Sequence, residues 1–166
     1  MEMVEHVYQY YQSERNTAIL AGIIGFVLLI GSLTFFQFYV NDKLIKGLAY
    51  VFLGAGLFFL IAGVSVTIHN NYRMEETNSF TKTNRELQQS EVKRIESVLT
   101  TGYQSALILF SVFVASGLIL VLVNPSNLLK GIGLGLLIIG TIGHKTEVFS
   151  MQKNSAYQQK INSLNF

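Results

Sequence analysis

The sequence predicts an all-α integral membrane protein of four transmembrane helices in two hairpins, with both termini on the cytoplasmic side and amphipathic cytoplasmic helices beside them. Three observations lead there. Long uncharged blocks recur along the chain; only 13% of its 166 residues are charged, and nearly all of these lie outside the blocks; the basic residues are shared unevenly between the connecting segments. A soluble domain of this length would carry about a quarter charged residues. Half of the residues are hydrophobic, with no Cys and a single Pro, which excludes a disordered chain, a disulfide-stapled domain and a collagen-like repeat.

The amino-terminal segment, 1–17, contains Glu2, Glu5 and Glu14, with no basic start and no small-residue cleavage site after the first apolar block. It therefore reads as a retained cytoplasmic amphipathic segment and not a signal peptide. Met3, Val7, Tyr10 and Tyr11 fall near one helical face, with the tyrosines where an aromatic belt would sit. A helix rising about 1.5 Å per residue needs about 20 apolar residues to cross roughly 30 Å of hydrocarbon. Residues 18–40, 48–68 and 105–123 meet that length. The fourth block, 128–143, has 13 uncharged residues from Gly131 to Gly143 and spans only if Leu128 and Leu129 join it, with Lys130 snorkelling outward. A re-entrant or interfacial segment is the alternative there.

The connections 41–47 and 124–130 allow only tight turns, which pairs the spans as first with second and third with fourth. Between the pairs lies a cytoplasmic loop, 69–104. In it, Thr83-Asn84-Arg85-Glu86 has the form of a capping box. A helix over about 84–100 follows, with Leu87, Val92, Ile95, Val98 and Leu99 on one face, lying on the membrane surface or against a neighbouring copy. Gly102 is the expected bend before the third span, and the tail 144–166 continues the fourth helically until it frays.

Nine basic residues (Arg15, Arg73, Lys82, Arg85, Lys93, Arg94, Lys145, Lys153 and Lys160) lie on the side of the termini, against Lys43, Lys46 and Lys130 on the other. The positive-inside rule then puts both termini in the cytoplasm, and the bacterial inner membrane is the expected location. Sliding the chain by 84 residues aligns Thr17 with Thr101, Phe26 with Phe110, Lys46 with Lys130, Gly47 with Gly131 and Gly56 with Gly140. This suggests a tandem duplication of one hairpin, related by an axis along the membrane normal.

Gly131 and Gly135 form a GxxxG spacing, with Gly140 after it, and Gly54, Gly56 and Gly63 lie in the second span. Such glycines let backbones approach closely, either inside one monomer or between copies. Lys46 and Lys130, at matching places in the two outer turns, are candidates for a headgroup or partner contact. His69 and His144, closing the second and fourth spans, are candidate pH-sensitive groups. No cofactor and no metal are expected, because the histidines lack Cys or carboxylate neighbours at ligand spacing.

The polar groups within the spans are uncharged Ser, Thr and Gln, whereas ion-coupled transport uses an ionisable group at mid-membrane. No hydrolase elbow, zinc-protease motif or phosphate loop occurs, so no enzyme is expected, and the balanced charge of the central loop gives no nucleic-acid surface. The expected function is non-enzymatic: helix–helix recognition of a membrane partner, itself or another protein, as an immunity-type protein or an accessory subunit. The likeness to immunity proteins against pore-forming toxins is one of topology alone. The alternative is a homo-oligomeric pore gated by the cytoplasmic helices.

Overall fold

The structure, a computed structural model, describes residues 3–39, 41–79 and 83–164. Val40, at the end of the first expected span, Lys82, counted in the charge bias, and the terminal residues 1–2 and 165–166 lie outside the described residues. The chain forms α1 (Met3–Phe38), α2 (Lys43–Asn78), α3 (Asn84–Ser97), a π-helical turn (Val98–Gly102), α4 (Tyr103–Val123) and α5 (Asn127–Asn162). Four helices are long and apolar enough to cross a membrane, with α3, the π-turn and α4 running on as one. α1, α2 and α5 each hold 36 residues. At 1.5 Å per residue each is about 54 Å long, roughly 24 Å more than a hydrocarbon core requires. Each therefore has an apolar half and a polar half, and the polar halves gather into a second bundle.

Local chemistry sets the helix starts. The Asp42 carboxylate accepts from the Leu44 and Ile45 amides at 2.9 and 3.1 Å, capping α2. Thr83 and Glu86 close the expected capping box at the start of α3.

The packing follows a seven-residue repeat of small side chains. α1 buries Tyr11, Ala18, Gly25 and Ser32, and α2 buries Ala49, Gly56, Gly63, Asn70 and Thr77. The two run antiparallel at close range: a Cβ on Gly25 would stand 2.7 Å from the Gly56 carbonyl oxygen, and one on Gly63 would stand 2.7 Å from that of Ala18. A heptad seam of this kind holds two helices in register along their whole length. α4 and α5 pack likewise, through Phe110 and Gly117 against Gly133 and Gly140.

The 84-residue offset reappears in the architecture. α2 and α5 begin at Lys43 and Asn127 and end at Asn78 and Asn162, each closed by a serine, Ser79 or Ser163, whose hydroxyl donates to the carbonyl three residues back. The buried heptad of α2 returns in α5 as Gly133, Gly140, Asn154 and Ile161, with Glu147 half-buried between them. Where α2 meets α5 the contact is reciprocal: a Cβ on Gly47 would overlap the Leu128 carbonyl, one on Gly131 would overlap the Leu44 carbonyl, and Val51 faces Gly135. The first two contacts exchange under the 84-residue shift and the third joins a residue to its own counterpart, so α2 and α5 lie side by side, parallel, about a pseudo-twofold axis along their length.

Two expectations are corrected. The helix expected on the membrane surface instead packs inside the molecule, burying Leu87, Glu91 and Ile95 against the polar halves of the other helices. Gly102 makes no bend: it closes the π-turn, with φ −63° and ψ −59°, and the helix continues through it. The turn has a packing reason. The α4 side chains facing α5 fall at Tyr103, Phe110 and Gly117, seven apart, but the preceding buried residue is Ile95, eight before Tyr103. A π-turn takes up one extra residue and so keeps both stretches facing inward.

Candidate functional site

The polar bundle is built around one carboxylate. Glu91 of α3 is fully buried. One of its oxygens accepts from Arg73 of α2 at 2.8 Å and the other from Arg94 at 2.9 and 3.1 Å, while the Tyr11 hydroxyl of α1 donates to it at 3.0 Å. Arg73 also donates to the Tyr11 oxygen at 3.0 Å and pairs with Glu76. Both guanidinium groups lie over the Tyr11 ring, at 5.4 and 5.0 Å from its centre, a favourable cation–π placement. Two arginines and two glutamates balance, and one network ties α1, α2 and α3 together.

A second polar group joins α1, α4 and α5. Asn154 donates to the Tyr103 hydroxyl at 2.6 Å and accepts from that of Tyr10, whose ring stacks on Tyr157 at 4.0 Å. Lys153 pairs with Glu14 at 2.7 Å. Beneath both groups sits an apolar core of Met3, Val7, Met74, Leu87 and Ile161. Tyr10 and Tyr11, expected in an aromatic belt, are thus interior residues of this bundle.

Burial, with the Glu91 charge adding to it, pushes the Tyr11 phenol up to about 12, and burial pushes Tyr10, Tyr103 and Tyr157 up further. A folded-state value above the unfolded one means stability that is present below the ordinary tyrosine value of about 10 and lost as pH rises through the folded value. Alkaline titration followed by tyrosinate absorbance is therefore expected to show part of the eight tyrosines ionising late, together with loss of helicity. Ionisation of all eight near pH 10 with helicity intact would contradict the buried arrangement.

The apolar half carries a different feature. α2 and α5 touch near their starts, and beyond that contact a cleft of about 310 Å³ opens between α2 and the α4–α5 pair. Its walls are Phe58, Phe59, Phe110, Phe113 and Ile139, and Gly54 and Ala55 leave it open on the α2 side. Gly54 is exposed, and a Cβ there would meet nothing within 4 Å.

The other glycines singled out in the sequence pack inside the chain. Gly56 and Gly63 face α1, Gly131 and Gly135 face α2, and Gly140 faces Phe110 and Val114 of α4. Lys46 and Lys130 are half-buried and flank the Gly47–Gly131 contact at the turn end. His69 is exposed and His144 half-buried. In the parallel register of α2 and α5, His69 is level with Lys153, which puts the two histidines about nine residues, or roughly 13 Å, apart along the axis. Among the described residues no three His, Asp or Glu side chains gather as a metal would require. Comparison with family profiles, curated proteins and solved structures finds no match.

The sequence reading missed Glu91, although it sits between Leu87 and Ile95 at four-residue spacing, a charge in the middle of an apolar stripe. Such a position demands a partner.

Proposed function

We propose that the apolar half lies in a membrane with the polar bundle in the cytoplasm, and that the chain works without catalysis by seating a helix of a membrane partner in the Gly54 cleft. The cleft is the observation that carries this reading. It is apolar, it opens where lipid would lie, and it is bordered by aromatic rings that suit a bulky aliphatic side chain. The orientation is supported by the basic residues of the polar half, Arg15, Arg73, Arg85, Lys93, Arg94, Lys145, Lys153 and Lys160, set against three lysines at the turn end. The reciprocal α2–α5 contact and the matching helix ends support descent from a duplicated helix pair. An immunity-type role or an accessory subunit both fit such a module; a homo-oligomeric pore loses support, because most of the glycines that would have joined copies pack within one chain.

A Cβ on Gly54 meets nothing within 4 Å, so Gly54→Phe has room at its base to put a ring into the cleft. The variant is expected to keep the stability of the parent while losing co-purification of its membrane partner after mild detergent extraction of native membranes. Unchanged co-purification would overturn the cleft as the recognition surface. Purification of the parent as a multimer that Gly54→Phe disperses would make the partner another copy.

A further inference from the structure

The two repeats share a buried asparagine and partner it differently. In the second, the Asn154 amide donates to the Tyr103 hydroxyl. Its counterpart in the first, Asn70, is 4% exposed and its amide nitrogen has no partner. The reason is in the sequence: the residue equivalent to Tyr103 is Ile19, which offers no hydroxyl. One heptad beyond the Gly22–Gly63 contact, the α1–α2 register sets Arg15 opposite Asn70. The Arg15 Nε is likewise buried without an acceptor, and no ion pair or hydrogen bond engages its guanidinium among the described residues. A cation and a buried amide donor therefore lie at one level of the α1–α2 pair, three and two positions outside the apolar stretches of α1 and α2.

An apolar groove of about 390 Å³ leads away from that point between the same two helices. Gly22 and Gly63 form its floor, with Phe26, Leu60 and Thr67 among its walls. Ala18 and Ile19, at its near end, are one helical turn from Arg15, and Thr67 is one turn from Asn70, so donors and groove share a face.

We infer that this is a binding site for an anionic phospholipid in the leaflet on the side of the termini. Arg15 and Asn70 take the phosphate, and one acyl chain lies in the Gly22–Gly63 groove. A guanidinium pairs with phosphate oxygens in a planar fork, an amide N–H supplies a further donor, and the groove continues in the direction a chain takes from the headgroup into the bilayer. The inference rests on placing the apolar half in a bilayer and is independent of the Gly54 cleft.

The test is native mass spectrometry of the full chain extracted from membranes in detergent and titrated with dioleoylphosphatidylglycerol or dioleoylphosphatidylcholine. Recovery of the chain in the membrane fraction checks the bilayer placement separately. The parent is expected to bind the anionic lipid more tightly than the zwitterionic one. Arg15→Gln is expected to weaken it about tenfold, the loss of one charge-assisted pair. Gly22→Leu plugs the groove from a position where a Cβ stands in ordinary contact, 3.9 Å from Gly63, and is expected to lower binding while the thermal unfolding midpoint stays that of the parent. Arg15→Lys, which keeps the charge, recovers part of the affinity, and Lys93→Gln, on the exposed face of α3, leaves it unchanged. Equal binding of both lipids, or no change with Arg15→Gln, overturns the assignment. An effect of Arg15→Gln with none of Gly22→Leu would assign a soluble anion in place of a lipid and overturn it as well.

Discussion

Glu91→Ala is expected to destabilise the protein by about 3 kcal/mol, the low end for removing one member of a buried ion pair. The mechanism is what the carboxylate leaves behind. Arg73, Arg94 and the Tyr11 hydroxyl all point at a fully buried group, and without it two cations face each other around an aromatic ring. The low end applies because the arginine side chains are 23% and 26% exposed and can turn partly to water. Reversible unfolding in mixed micelles measures the loss, and limited proteolysis should show α3 becoming accessible first. Replacing the whole network together, as Glu91→Leu with Arg73→Met, Arg94→Met and Tyr11→Phe, is expected to restore most of the stability, since an apolar core of similar volume leaves no buried hydroxyl or charge of the network unpaired. A single-variant loss no larger than that of the exposed Glu96→Ala would mean that the network does not hold the bundle.

Gly131→Ile is expected to be at least as damaging, for a steric reason. A Cβ at this position overlaps the Leu44 carbonyl, and the opposing atoms are backbone, which has no rotamer into which to retreat. Overpacking in a core costs about 1–3 kcal/mol when side chains can shift; here one helix must move, so at least about 3 kcal/mol is expected and the two helix pairs separate. Gly54→Ile, also in the apolar half, has open space and should leave unfolding unchanged. Equal tolerance of both substitutions would show that α2 and α5 do not meet as described. Any loss of self-association in Gly131→Ile would consequently report a broken monomer, which makes Gly54 the better probe of an outer surface.

Four apolar helices were legible in the sequence because hydrocarbon thickness imposes a length that composition reveals directly. The helical continuation of the fourth through 144–162 was legible as well, but the gathering of the polar halves into a bundle was not. Its helix faces are short and mixed, and apolar positions such as Val92 and Val98 pointed towards a surface-bound helix, whereas the buried face runs through Leu87, Glu91 and Ile95. The one-residue phase change absorbed by the π-turn hid the link between that face and Phe110. Repeat matching showed the aligned apolar stretches but not the counterparts Asn70 and Asn154, because polar residues beyond a span look like loop until a seam buries them. Glycine spacing indicated close packing and left open whether the neighbour lay inside the chain; only the register of α2 on α5 distinguishes Gly131 from Gly54.

The exchange of contacts between Gly47 with Leu128 and Gly131 with Leu44 has the form of an isologous interface, the arrangement by which two identical subunits recognise each other. Here both sides belong to one polypeptide. Association that would otherwise weaken on dilution is intramolecular, so the assembly persists at any copy number. Once tethered, the halves no longer need to match, and a position that serves as internal glue in one can be released for another use in its twin.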